Sequence, residues 1–545
     1  MLDASTVVPI PVNEPVRQYA PGTPERASLQ ARLAEMAVEP VELTTTIAGR
    51  QEPGRGSAID VVQPHRHAAV LGRTHEAGRE DWQAAVEASL AAAPAWRDTA
   101  YADRAAVLLQ AAELLAGPWR DTLNAATMLG QSKTVIQAEI DSACELIDFL
   151  RFNVAFGAQV LAEQPGSGGG AWNRMDHRPL EGFVLAITPF NFTAIAANLP
   201  LAPALMGNTV VWKPSPTQQL SAHFTMRLLE AAGMPPGVVN MVTGVGAEAA
   251  VAVEHPHLAG IHFTGSTGTF QHLWQQVGNR IGSYRSYPRL VGETGGKDFV
   301  LAHPSADAAS LEVALVRGAF DYQGQKCSAA SRAYIPRSLW DGGVRESLAQ
   351  RVQSLSYGDI TDLSHFGGAV IDRRAYDRLA DVLARAGKDS TLEVLAGGSA
   401  DDSTGFFIDP TLLVSSDPRH EVMTQEYFGP VLSVYVYPDQ DWDQVLTLVD
   451  TTAPYALTGS VFAQNAYAIA EATARLRFTA GNFYVNDKPT GAVVGQQPFG
   501  GARASGTNDK AGSVLNLLRW SSPRTLKTTL APTYDHRYPH MGDPS

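Results

Sequence analysis

The sequence predicts an α/β protein with parallel sheets and more than one domain. Three observations carry that expectation. The chain has 545 residues, more than one ordinary hydrophobic core organises. Amphipathic helical runs fill about residues 80–160. From residue 182 onward, short β-branched and aromatic runs alternate with helical stretches, which demands crossover connections and therefore βαβ units.

Taken in order, EDWQAAVEASLAAAPAWRD and RAAVLLQAAELLAG carry apolar residues at helical spacing, with Gly and Pro as stops. LAEQPGSGGGAWNRMDHRPLEG (161–182) is too polar and too rich in glycine for core. It reads either as a flexible linker or as a protruding hairpin that pairs with a neighbouring domain or subunit. GFVLAITPF (182–190) and NTVVWKPS (208–215) are short buried strands, followed by the helix SAHFTMRLLEAAG ending at Gly233. VVNMVTG (238–244) is a strand, AEAAVAVEH a helix, and GIHFTGS (260–266) a strand again. A second alternating series starts near RLVGETGGKDFVLA (289–302) and runs to about residue 480, reading as a separate α/β domain. Ligands of such sheets bind at the carboxyl ends of the strands.

Composition excludes several function classes. A net charge of −13 and a pI near 5.5 repel nucleic acid and anionic lipid surfaces. The most apolar stretch, AIAANLPLAPALMGNTVVW (194–212), is interrupted by Asn198, Pro200, Pro203 and Asn208. It reads as a buried helix-turn-strand, not as a membrane span. Two cysteines, Cys144 and Cys327, offer neither a disulfide framework nor a zinc cluster, so no metal is expected. The N-terminus lacks a basic start with an apolar run and lacks an Arg-rich, acid-free pattern, which together suggest a cytoplasmic protein.

Cys327 stands in YQGQKCSAA and can be core filler, metal ligand or nucleophile; Lys326 and Ser328 make its context polar. Glu293 in GETGGKD lies 34 residues earlier. It is either a surface turn residue or a base that activates water against a thioester. FTGSTGTF (263–270), between a strand and a helix, is either an ordinary turn or a pyrophosphate site.

TPFNF (188–192), WKPS (212–215), FTGS (263–266), ETGGKD (293–298), GQKCSA (324–329) and EYFGPV (426–431) stand in the order and approximate spacing of the aldehyde dehydrogenase superfamily. The chain resembles that superfamily over roughly residues 10–530. FYVND (483–487) and VGQQPFGGARASGTND (494–509) extend the resemblance to the branch that oxidises L-glutamate γ-semialdehyde, the open form of 1-pyrroline-5-carboxylate, in its stand-alone form.

The resemblance implies a Rossmann-like NAD-binding domain over 1–160 and 183–290 and an α/β catalytic domain over 291–480. It also implies a small β oligomerisation flap from 161–182 and 520–545, and a return segment over 481–519 that carries a substrate-anchor loop. Cys327 matches the nucleophile, Asn191 the oxyanion donor and Glu293 the general base. Thr188, Lys213, Gly265, Ser266, Glu426 and Phe428 match cofactor contacts, and Ser328, Gly501 and Ala502 the grip on a substrate carboxylate. Phe192 and Phe499 either line the aliphatic section or serve as core packing.

The implied activity is NAD-dependent oxidation to L-glutamate through a thiohemiacetal and a thioester, the second step of proline catabolism, in a homo-oligomer. One departure bears on cofactor choice. Pro216 stands where many NAD-specific members carry a glutamate for the ribose 2′-OH. Three alternatives are a dehydrogenase of another semialdehyde, such as succinate semialdehyde, a coenzyme-A-acylating relative, and a non-catalytic relative. The PFGGARASGTND segment opposes the first, Glu293 the second, and the joint presence of Asn191, Glu293 and Cys327 the third.

Overall fold

The structure is a computed structural model that describes residues 7–542. The outer ends of the expected domain spans, 1–6 and 543–545, lie outside the described residues. Two seven-stranded sheets dominate. The first runs in the spatial order Arg289–Glu293, Leu258–Thr264, Phe183–Ile187, Thr209–Lys213, Val239–Met241, Thr45–Ile47 and Arg50–Glu52. Its first five strands are parallel; the last two join antiparallel. Alternate residues of one strand feed opposite layers: Val184 and Ala186 pack under the helices Glu145–Ala162 and Thr193–Leu205, while Phe183 and Leu185 meet Trp82 and Phe270. A strand buried on both faces reads as a continuous apolar run.

The second sheet follows the order Leu392–Ala396, Thr411–Ser415, Val431–Tyr437, Ala330–Pro336, Asp298–Ala302, Thr458–Phe462 and Asn482–Val485. It is parallel except at its first strand. A separate pair, Ala171–Pro179 with Ser521–Thr529, is antiparallel along its whole length, with Ala171 opposite Thr529 and Pro179 opposite Ser521.

Three features depart from the sequence reading. The run RLVGETGGKDFVLA is not the start of the second sheet alone. Arg289–Glu293 closes the first sheet, Asp298–Ala302 lies inside the second, and Gly295–Gly296 fall between them. The glycines interrupt what looks like one apolar series, so the sheets change hands three residues beyond the expected boundary at 290. Asn482–Val485 extends the second sheet past residue 480. Strands also form at Val41–Leu43, Ala58–Gln63 and Arg66–His75, where polar residues and short lengths conceal the alternation.

Among the described residues, no helix is long and apolar enough to cross a membrane. The stretch 194–212 forms the buried helix Thr193–Leu205 and the strand Thr209–Lys213.

Candidate active site

The strand register fixes the site. Ile187 pairs with Lys213 and Phe263, and Thr264 with Glu293, so the carboxyl ends of the first sheet share one rim that faces the second sheet. Cys327 reaches this rim from a turn in which Tyr322, Gln323 and Gly324 all have left-handed backbones (φ 50°, 53° and 64°). Left-handed conformation costs a non-glycine residue roughly 1–2 kcal/mol, so the turn needs outside support. The Gln323 amide donates to the carbonyls of Ser132 (2.9 Å) and Ala369 (2.7 Å), and the Gln325 side-chain oxygen accepts from the Ile371 N–H at 2.9 Å.

Two cavities meet at Cys327. The larger, about 810 Å³, is lined by Thr188, Lys213, Gly265, Ser266, Glu426 and Phe428 among others. The smaller, about 250 Å³, is lined by Phe192, Glu293, Ser328, Thr490 and Phe499 among others. Cys327 borders both. Burial, then the carboxylates of Asp298, Glu426 and Glu293, push its thiol up. Asn191, buried beside it, donates one amide N–H to the Gln325 carbonyl at 3.0 Å. The Glu293 carboxylate accepts the Gly501 N–H at 2.7 Å. Burial raises that carboxyl well above the usual range, against the pull of the Gly501 N–H and the Lys510 ammonium.

The larger cavity suits a dinucleotide. Ser266 caps the helix Thr267–Asn279, accepting from the Thr269 N–H at 3.2 Å, and Gly265 precedes it where a Cβ would strike the Phe263 ring. A helix N-terminus of this kind favours phosphate. Lys213 is buried and forms no ion pair among the described residues. Burial and Arg374 lower its ammonium to about 8. Thr188 accepts the Trp212 indole N–H at 2.9 Å. Glu426 accepts the Gly296 N–H at 3.0 Å, and burial raises its carboxyl to about 7. A Cβ on Gly295 would run into that carboxylate. Phe428, itself left-handed at φ 54°, meets Phe190 edge-on with ring centroids 5.8 Å apart.

The model of the aldehyde dehydrogenase family matches residues 51–525. The chain belongs to this family. A delta-1-pyrroline-5-carboxylate dehydrogenase structure from Mycobacterium tuberculosis with NAD bound is 60% identical to this aldehyde dehydrogenase, with a TM-score of 0.96 over 99% of this chain and 100% of that one. A 1-pyrroline-5-carboxylate dehydrogenase structure from Thermus with bound NAD is 30% identical, with a TM-score of 0.89 over 96% and 100%. A probable delta-1-pyrroline-5-carboxylate dehydrogenase of Schizosaccharomyces pombe is 49% identical over 97% of each chain.

In this aldehyde dehydrogenase the expected anchor residues need correction. Ser328 faces the smaller cavity, 2.8 Å from the Thr490 hydroxyl. Gly501 and Ala502 do not line it. The Gly501 N–H is taken by Glu293, and Ala502 pairs with Ala456 in a two-stranded ladder. Gly491 and Ala492, next to Thr490, line the cavity instead, and Gly491 has φ +93°, which favours glycine. The signal was present in KPTGAVVG, a second small-residue loop beside PFGGAR. Sequence reasoning also missed Glu145, which lines the same cavity, as does Lys326, legible in the sequence only as a polar neighbour of Cys327. Lys326 lies 3.7 Å from Asp141. Burial and Asp141 raise the Glu145 carboxyl well above its usual range.

Proposed function

We propose that this aldehyde dehydrogenase oxidises L-glutamate γ-semialdehyde to L-glutamate with NAD, completing proline breakdown to glutamate. The observation that carries the reading is the smaller cavity: one end opens on the Cys327 sulfur, and another part presents the Ser328 and Thr490 hydroxyls with the Gly491 loop. Two methylenes separate the aldehyde carbon from the α-carbon, which needs a pocket with groups at both ends. Hydroxyls and a bare backbone suit the carboxylate. Phe192 and Phe499 bound the stretch between.

The chemistry follows from the placement of each group. The Cys327 sulfur, as thiolate, attacks the aldehyde carbon, and the developing oxyanion draws on the second amide N–H of Asn191 and the backbone N–H of Cys327. One preorganised donor of this type contributes about 3 kcal/mol. NAD, when bound in the larger cavity, supplies the hydride acceptor. Lys213 and Glu426 would hold its riboses, and Gly265 and Ser266 its pyrophosphate. The resulting Cys327 thioester is hydrolysed by water from which Glu293 takes a proton. Gly501 holds that carboxylate through its N–H, and Lys510 lies near to balance its charge.

The two free thiols suit a reducing compartment, the cytoplasm in our reading. The projecting pair Ala171–Pro179 and Ser521–Thr529 suits a homo-oligomer contact. The test is the absorbance of reduced cofactor with the purified protein, a panel of aldehydes, and NAD or NADP. Glutamate semialdehyde with NAD is expected to give the highest kcat/KM. Equal efficiency with propanal overturns the proposal.

A further inference from the structure

The smaller cavity has a wall that no catalytic motif supplies. Asn13, Glu14 and Val16 line it, although they lie more than 300 residues from Cys327 in sequence. They belong to a segment before the helix Pro24–Val38 that has no regular structure of its own. Its contacts are specific. The Asn13 amide donates to Asp148 Oδ2 at 2.8 Å and to the Val494 carbonyl at 2.9 Å, and Asn13 Oδ1 accepts from the Gln496 amide at 3.0 Å. Asp148 sits on the helix Glu145–Ala162, whereas Val494 and Gln496 sit on the loop that also presents Thr490, Gly491 and Ala492. One side chain therefore joins the two sides of the cavity.

The segment is anchored independently of Asn13. Glu14 takes Arg120 at 2.5 Å and Arg151 at 2.8 Å. The fully buried Glu139 accepts from the Arg17 N–H and the Tyr19 hydroxyl, each at 2.9 Å. The Glu14 N–H donates to Asp148 Oδ1 at 2.7 Å. Asp148 also borders the cavity, and both of its oxygens are occupied by donors from the segment.

We propose that residues 13–17 form a strap that belongs to the substrate site, with Asn13 as a positioning residue. It fixes the loop 490–496 against the helix Glu145–Ala162 and so sets affinity for an aldehyde that carries a carboxylate. This rests on the substrate reading above. Loss of Asn13 frees the loop and uncovers one oxygen of Asp148, so a carboxylated substrate meets a looser grip and a nearer negative charge. A short neutral aldehyde depends on neither.

The experiment compares wild type with Asn13→Ala and Asn13→Asp, using glutamate semialdehyde and propanal. Both variants are expected to raise KM for the semialdehyde, by about tenfold for Asn13→Ala and more for Asn13→Asp, with kcat held within about twofold and propanal kinetics unchanged. A second readout needs no turnover: protection of Cys327 against iodoacetamide by L-glutamate should require correspondingly more glutamate in each variant. Thermal melting checks that both remain folded. An unchanged KM and unchanged protection overturn the strap proposal, as does an equal loss for both aldehydes. If wild type itself fails to prefer the semialdehyde, the substrate reading fails, and glutamate protection still tests the strap on its own.

Discussion

The two cavities that meet at Cys327 are built differently. One wall of the dinucleotide cleft is made by the ends of neighbouring strands and the loops that follow them: Thr188 after Phe183–Ile187, Lys213 at the end of Thr209–Lys213, Gly265 and Ser266 after Leu258–Thr264, with Glu426 and Phe428 on the other side. Each of those strand-end residues is part of a short motif at the carboxyl end of its own strand, and the three strands are neighbours in the sheet. The substrate cavity draws on residues 13–16, 140–149, 192–199, 262–264, 291–293, 326–328 and 490–499. No local motif spells it out. Recognition of a cofactor common to many enzymes rests on a repeated supersecondary unit, whereas selectivity for one aldehyde rests on convergence of distant segments.

Substitutions at the junction test the comparison most severely. Cys327→Ala, which removes the thiol that borders both cavities, should abolish aldehyde oxidation for every substrate while leaving NAD affinity within a few-fold of wild type, measured by fluorescence titration. Cys144, buried against Arg120 and Glu139, should tolerate Cys144→Ala without loss of oxidation. Retained turnover in Cys327→Ala would remove the junction as the reacting centre.

Glu293→Gln acts on the step after hydride transfer. A rapid burst of reduced cofactor should persist while steady turnover falls by about 10²- to 10⁴-fold, the usual contribution of a general base. Burial raises the Glu293 carboxyl above the ordinary range. In wild type, therefore, the base form becomes scarcer as pH falls through that raised value and more abundant as pH rises. Steady turnover should climb with pH above the normal carboxylate range, and Glu293→Gln should flatten that climb. The pH dependence of the burst should remain, because it reports the Cys327 thiol, also pushed up by burial.

On the substrate side alone, Ser328→Ala should lower kcat/KM for glutamate semialdehyde by about ten- to a hundredfold, since a hydrogen bond to a charged group contributes about 1.5–3 kcal/mol. Propanal should barely respond. Equal harm to both would place Ser328 in support of Cys327 instead of the carboxylate grip.

The smallest effect is expected on the cofactor side. With Pro216 beside the Lys213 strand and no glutamate there, NAD should still give the higher kcat/KM, by less than about tenfold over NADP, a difference under about 1.4 kcal/mol. Pro216→Glu should widen the gap by repelling the 2′-phosphate. A tenfold preference of wild type for NADP would reverse the assignment.

By itself, the sequence determined the alternation that makes parallel sheets and the candidate groups Cys327, Asn191 and Glu293. Both are local facts: a strand needs only its own apolar run, and a motif only its own neighbours. Only the tertiary structure decided which of two small-residue loops lines the substrate cavity. PFGGAR and PTGAVV are equally small and flexible, but the Gly501 N–H is committed to Glu293 while Gly491 and Ala492 border open space. It also decided that a segment near residue 13 closes a cavity around Cys327. Hydrogen bonds between residues 135 and 481 positions apart leave no periodicity in the chain, because their geometry arises only once the two sheets and their helices have packed.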